Sequence, residues 1–184
     1  MGNLASLPSI STYLLEARDI PLFGNFDCAG SRPRDEWHDD LDGYIRENAL
    51  RDMDQRIATT WVCYDGAAPV AYITLAAAQI TAETDGQSPI APAVLIGRIA
   101  VNATHQGQQY GSSMLGFAIG RARALNAQSV GIGCRFVALH VHERNQDAIR
   151  LYSEEFGFFE PPGLPHGPDR LMIHDLIPQV ATGP

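Results

Sequence analysis

Between Asn102 and Gly111 the chain reads NATHQGQQYG, a glycine- and glutamine-rich stretch with almost no apolar residues. A nearly continuous apolar run, Ala93 to Val101, precedes it. A segment opening at Ser112 follows, in which Leu115, Ala118, Ile119, Ala122 and Leu125 recur at helical spacing. A strand, a polar loop and a helix start in that order make an anion site. The N–H groups of the loop and first turn have no helical acceptor, and the helix dipole adds partial positive charge. The chemistry this permits is the holding of a phosphorylated group. Further on, Asn145 suits the N-cap of a second helical segment that carries Tyr152. His140 and His142 lie two apart at a strand end and share a face. A general base and plain structural histidines both fit them, and Glu143 beside them is equally open. Cys28, Cys63 and Cys134 show no CxxC pair or metal-ligand spacing, so no metal site is expected, and Cys134 has no paired His-Asn arrangement to make it a nucleophile.

The elements that must position these residues follow from the pattern. Ser9 to Ala17 reads as a first strand. RDIPLFGNFDCAGSRP, with two prolines and several turn formers, reads as irregular and surface-exposed. Asp35 to Met53 is helical, with Trp37, Leu41, Tyr44, Ile45 and Leu50 on one face. Ala58 to Asp65 and Pro69 to Ile80 form a hairpin about the turn Gly66-Ala67-Ala68, and Thr81 to Pro92 reads as a mobile loop. After the central strand and helix come a strand from Phe136 to Val141, a helix from Asn145 to Phe156 stopped by Gly157, and a last strand from Arg170 to Ile177. The order β-α-β-β-β-α-β-α-β predicts an α/β fold of mixed α+β character, a mostly antiparallel mixed sheet with helices on both faces.

The 184 residues allow one domain over 1–184, with a core of 9–177 and a flexible tail, 178–184. Apolar content of 45% and charged content of 18% are those of a folded protein. No apolar run reaches the ~20 residues of a membrane helix, and the N-terminus lacks the basic and apolar regions of a secretory signal. Met1-Gly2 with Ser6 fits the loose N-myristoylation pattern, which chance explains in the absence of a polybasic neighbour. Three unpaired cysteines suggest reduced thiols in a cytoplasm. A net charge of −8 argues against generic attraction to nucleic acid or anionic membrane.

LIGRIAVNATHQGQQYGSSML resembles motif A of the GCN5-related N-acetyltransferases, and NQDAIRLYSEEFGF resembles their motif B. The family's loop reads Gln/Arg-x-x-Gly-x-Gly/Ala. Gln106, Gln109 and Gly111 stand in those places, so Gln109 replaces the middle glycine. In motif B, Asn145, Ala148, Tyr152 and Gly157-Phe158 match, with one extra residue between the tyrosine and the glycine. The resemblance spans about Asp27 to Leu176 and implies acetyl-CoA as cofactor and an amine as acceptor. It implies that the strand end Ile99, Ala100 and Val101 pairs, through the backbone of Ile99 and Val101, with the pantetheine arm. The amides of Gln106, Gly107, Gln108, Gln109, Tyr110, Gly111 and Ser112 would hold the pyrophosphate. Asn145 would hydrogen-bond the cofactor, and Tyr152 would stand near the sulfur as general acid, a phenol of pKa ~10 suiting a less basic thiolate. A plain packing role for Tyr152 and a plain capping role for Asn145 stay open beside this.

The front of the chain resembles the toxin-type branch of that family. Phe26-Asp27-Cys28 and the run from Leu41 to Leu50, LDGYIRENAL, match its opening segment, with extra residues around Arg32 to Asp40. That branch implies acetylation of the amino group of aminoacyl-tRNA, a ribbon-helix-helix antitoxin as partner and a homodimer. The charge balance pulls the other way: Arg32, Arg34, Arg46, Arg51 and Arg56 form the only concentrated basic set, and Asp and Glu interleave them. A small-molecule or protein amine is the alternative acceptor, and a non-catalytic CoA-binding module, supported by Gln109, is the alternative class. A Rossmann-like nucleotide unit lacks its GxGxxG spacing here.

Overall fold

A computed structural model describes residues 10–81, 90–127, 129–162 and 167–177. Its strands are β1 (Thr12–Leu14), β2 (Thr59–Asp65), β3 (Ala68–Thr81), β4 (Ile90–Val101), β5 (Phe136–His142) and β6 (Asp169–Asp175). They form one mixed sheet in the order β1-β2-β3-β4-β5-β6. Helices α1 (Glu36–Glu47), α2 (Ala49–Asp54), α3 (Tyr110–Leu125) and α4 (Gln146–Arg150) fall between strands in the order read from the sequence. The myristoylation pattern at Met1-Gly2 and Ser6, the loop reading over 82–89 and the tail 178–184 lie outside the described residues. By contacts the chain divides into two compact units, Met1–Ala76 with Ile96–Phe117 and Ala77–Leu95 with Ala118–Pro184.

In the first unit β1 and β2 pair antiparallel with Tyr13 opposite Val62, and β2 and β3 form the expected hairpin with Trp61 opposite Ile73. The turn is shorter than its sequence suggests. Ala68 is already paired with Asp65, leaving Gly66 and Ala67 as the loop, and Gly66 takes φ +59 as a two-residue hairpin turn requires. Leu15, Phe23, Phe26, Tyr44, Ile45, Val62 and Tyr72 make the core, each burying a side chain worth about 1.5–3 kcal/mol. The Tyr72 hydroxyl donates to the carbonyl of Leu41 at 2.7 Å, so this buried ring carries no unpaired polar group.

Two readings of this half are corrected. The stretch after Arg18 is not surface-exposed coil. Ala17–Asn25 is a 3₁₀ helix, and Phe23, Phe26, Cys28 and Ala29 are all buried. Ile20, Phe23 and Phe26 recur every third residue, the period at which 3₁₀ side chains eclipse. The single helix over 35–53 is two helices that break at Asn48, whose amide still donates to the Tyr44 carbonyl and whose carbonyl accepts from the Asp52 amide, each at 2.9 Å. Arg56, at φ +57, closes the second.

In the second unit β5 and β6 pair antiparallel from Phe136 opposite Asp175 to His142 opposite Asp169. Ala91, Ala93, Phe136, Ala138 and Ile173 form its core. β4 starts at Ile90, ahead of the expected Ala93, because Pro92 sits at an exposed position of an alternating run and its carbonyl still accepts from the Arg135 amide at 2.9 Å. Asn126 closes the connection after α3 by exchanging two bonds with the backbone of Cys134, at 2.7 and 2.8 Å.

Candidate functional site

β4 ends at Val101, and Asn102 caps a 3₁₀ turn, Ala103–His105, its carboxamide oxygen accepting from the Thr104 amide at 3.2 Å and the Thr104 hydroxyl at 2.8 Å. The chain then passes through two left-handed residues, Gly107 at φ +75 and Gln109 at φ +66, before α3 begins at Tyr110, two residues earlier than expected. Alternating left-handed residues turn successive N–H groups toward one concave side. Nothing stands within 4 Å of where a Gly107 side chain would be. No acidic residue occupies the first turn of α3, so no carboxylate competes for the positive end of its dipole. The Ser113 amide is taken by the Gln109 carbonyl at 2.9 Å, which makes Gln109 the N-cap of α3. Gln109, standing where the resembled motif has glycine, takes a left-handed backbone angle of the kind glycine adopts freely.

The glutamine side chains differ in what they do. Gln108 donates to the Thr104 carbonyl at 3.2 Å. Gln106 donates through Nε2 to the carbonyls of Cys28, at 2.8 Å, and Val101, at 3.1 Å, and its Oε1 accepts from Arg32 at 2.6 Å. Its side chain is part of the protein's own bonding, which its place in a polar run did not reveal.

The segment that Gln106 reaches is a second feature the sequence hid. Asp27 accepts from the amides of Ala29 and Gly30, at 3.0 and 3.1 Å, and from Arg34 at 2.8 Å. The Gly30 amide chiefly, then those of Ala29 and the Arg34 guanidinium, hold its carboxyl below the usual range against the opposing pull of burial. Gly30 sits at φ +62 with the Ala103 Cβ 2.6 Å from where its own would be, so only glycine fits. Asp42, buried on α1, accepts from the Cys28 amide at 3.1 Å and from Arg34 at 2.6 Å, while Arg34 also reaches Asp39 at 2.9 Å. Arg98 forks onto Asp40 at 2.9 and 3.1 Å and lies over the Tyr44 ring, 3.9 Å from its centre. Burial, and then Asp42, push the Cys28 thiol up, which disqualifies it as a nucleophile.

In the second unit the Asn145 side chain accepts from the Ala148 amide at 3.3 Å, the N-cap geometry of α4. The extra residue of motif B is absorbed directly after it: Leu151–Glu155 is a π-helical turn. Gly157 at φ +66 then stops the helix, and the Phe158 amide returns to the Tyr152 carbonyl at 2.9 Å. Tyr152 sits in that turn, 7% exposed, its ring 6.0 Å from that of Phe158, with burial pushing its phenol up to about 12. His140 and Glu143 are exposed, and His142 accepts from the Arg144 amide through Nδ1 at 3.2 Å. Among the described residues no three His, Cys, Asp or Glu side chains gather around a common point, and no helix is long and apolar enough to cross a membrane.

A strand, a donor-lined loop and a helix in this sheet define a class, and the chain belongs to it: the profile of the acetyltransferase (GNAT) family matches residues 24–158. Within that family the fold is similar to the toxin acetyltransferases AtaT and KacT. AtaT complexed with acetyl-methionyl-tRNAfMet superimposes with a TM-score of 0.70 at 17% identity, covering 90% of this chain and 94% of that one. A tyrosine-to-phenylalanine mutant of KacT gives 0.67 at 18% identity, covering 91% and 95%. KacTA bound to DNA gives 0.63 at 22% identity over 91% and 93%. No curated protein matches the sequence.

Proposed function

We propose that the protein, as one acetyltransferase domain, moves an acetyl group from acetyl-CoA directly to a primary amine. The observation that carries this is the loop: left-handed residues at Gly107 and Gln109 run into a helix whose first turn has no carboxylate. The space at Gly107 is open, as a diphosphate seated in this loop would need. Gly107 to Ser112 would hold that diphosphate through backbone N–H groups, the expected Gln106 amide being taken by the Ala103 carbonyl at 3.4 Å, and the backbone of Ile99 and Val101, with Ala100 between them, would bind the pantetheine amides as a neighbouring strand does. The bound cofactor supplies the activated acyl carbon. Asn145 fixes the start of α4 and so the place of Tyr152. Tyr152 keeps its proton at Oη throughout the neutral range, because burial raises it to about 12, and donates it toward the departing sulfur.

The test is acetyl-CoA turnover read by released thiol, with parent and Tyr152→Phe compared. General-acid removal costs ~10²–10⁴-fold in kcat, with KM for acetyl-CoA little changed. Full activity in the variant would sink the acid role.

For the acceptor we infer the amino group of aminoacyl-tRNA, on the likeness in fold to AtaT bound to acetyl-methionyl-tRNAfMet. AtaT also occurs with the C-terminus of its antitoxin AtaR, and the same reading gives this chain a ribbon-helix-helix antitoxin, a homodimer and a cytoplasmic setting. A second reading, a small-molecule or protein amine, rests on the pairing of Arg34, Arg51 and Arg98 with carboxylates. Charged tRNA and a panel of small amines as acceptors separate the two. A non-catalytic CoA-binding module is the third reading, and it expects CoA to bind with no thiol released in the same assay.

A further inference from the structure

We propose that Gln106 is a positioning residue: its side chain, braced by Arg32 and the carbonyls of Cys28 and Val101, holds the loop in its donor-outward shape before any ligand arrives. This rests on the reading that the loop takes the diphosphate of acetyl-CoA. Gln106 stands immediately before the first left-handed residue, Gly107. Both N–H groups of its amide are used, at 2.8 and 3.1 Å, and its oxygen receives the Arg32 guanidinium at 2.6 Å. A side chain so occupied is a strut, with no donor left over for a phosphate.

Arg32 suits the other end of the strut. Among the described residues it donates to neutral oxygens, the carbonyls of Ala29 at 3.3 Å and Cys28 at 3.0 Å besides Gln106, so the bond to Gln106 is charge-assisted. The neighbouring Arg34 is spent on three aspartates. A second tie runs parallel to the first, from the Ala103 amide to the Asp27 carbonyl at 2.8 Å, and Gly30 lets the two segments approach. Arg32 lies in the stretch where this chain carries extra residues compared with the toxin-type segment it resembles.

The loop needs bracing because Gln109, a residue with a side chain, is held at φ +66, and such a conformation persists only where its surroundings over-determine it. The start of α3 fixes the loop on one side and Gln106 fixes it on the other. Ordering it in advance removes a cost that binding would otherwise meet.

The experiment compares acetyl-CoA with acetyl-pantetheine, a donor that lacks the diphosphate, using kcat and KM for the parent, Gln106→Ala, Arg32→Met and the double variant. In each single variant KM for acetyl-CoA rises about tenfold, the effect of one charge-assisted hydrogen bond, while kcat at saturation stays within about twofold; KM for acetyl-pantetheine does not move in Arg32→Met, which leaves the Gln106 bond to the Val101 carbonyl in place. The double variant is no worse than the weaker single, since both cut one strut, and Arg32→Lys recovers part of the loss. A merely structural role lowers Tm and leaves the ratio of the two KM values unmoved. Rises in KM for both donors together, or losses that multiply in the double variant, overturn the proposal. Should Gln106→Ala fail to fold, Arg32→Met, altered only at an exposed side chain, carries the same comparison. A parent that does not bind CoA overturns the underlying reading, whereas variants that match a CoA-binding parent overturn the strut alone.

Discussion

Gln109 holds a backbone angle, φ +66, that a residue with a Cβ adopts at a cost of about 1–2 kcal/mol. Glycine would remove that cost and lose about 0.5–1 kcal/mol through the freedom of the unfolded chain. Gln109→Gly is therefore expected to be as stable as the parent or slightly more so, with unchanged KM for acetyl-CoA. Gln109→Val should lose about 1–2 kcal/mol, since a β-branched side chain is least tolerant of that region; urea unfolding measures both, and a Gly variant clearly less stable than the parent would contradict the strain. Tyr152 gives a second expectation at this scale. An unfolded tyrosine ionises near pH ~10, and burial raises the folded value to about 12. Through that window the folded protein keeps the proton that the unfolded chain releases. Its contribution is whole below pH ~10 and falls away by about 2–3 kcal/mol as the pH rises toward the folded value. Tm followed against pH should decline less steeply there in Tyr152→Phe, and identical slopes would argue that the phenol is not buried.

At the scale of elements, Asn145 and the turn after α4 show what one residue can decide. Asn145 caps a helix of only five residues, Gln146–Arg150, before the π turn. Asn145→Ala should cost about 1 kcal/mol, and Asn145→Asp should restore most of it, because either side chain can accept from the Ala148 amide. A KM for acetyl-CoA that recovers with stability in the Asp variant marks a cap alone; one that stays raised marks a second contact to the cofactor. The order of strands and helices was legible in the sequence because long apolar runs, a glycine hairpin and the Gly157 stop each have a local cause. The 3₁₀ segment was not, since Pro21 and Gly24 hid the three-residue period of Ile20, Phe23 and Phe26. Pro92 hid the start of β4 in the same way. The loop was visible as a polar turn between a strand and a helix, yet the backbone at Gln109 and the Gln106 to Arg32 bond were not. The first depends on what surrounds a single angle, and the second joins residues 74 apart with no periodic signal between them.

The whole molecule carries a net charge of −8, and its thirteen basic side chains are all arginines. Arginine's planar fork pairs with carboxylates in fixed geometry, and here Arg34, Arg51, Arg98, Arg135, Arg150 and Arg170 each hold at least one. Arg46 faces the carbonyls of Phe23 and Phe26 at 3.5 and 3.2 Å. The basic set that stood out in the sequence is thus largely committed within the protein. Each phosphate neutralised by a free cation steepens the salt dependence of nucleic-acid binding by ~0.7–0.9 in log–log slope. A tRNA acceptor would be gripped near its aminoacyl end more than along its backbone, so the slope of log KM against log salt should be no steeper than about 3. The measurement is acetylation of charged tRNA across a salt series, with a small amine as control whose KM stays flat. A tRNA slope near 6 would mean that arginines paired in this structure leave their carboxylates for phosphates, and the pairing at Arg34 and Arg98 would then be a resting state that substrate breaks.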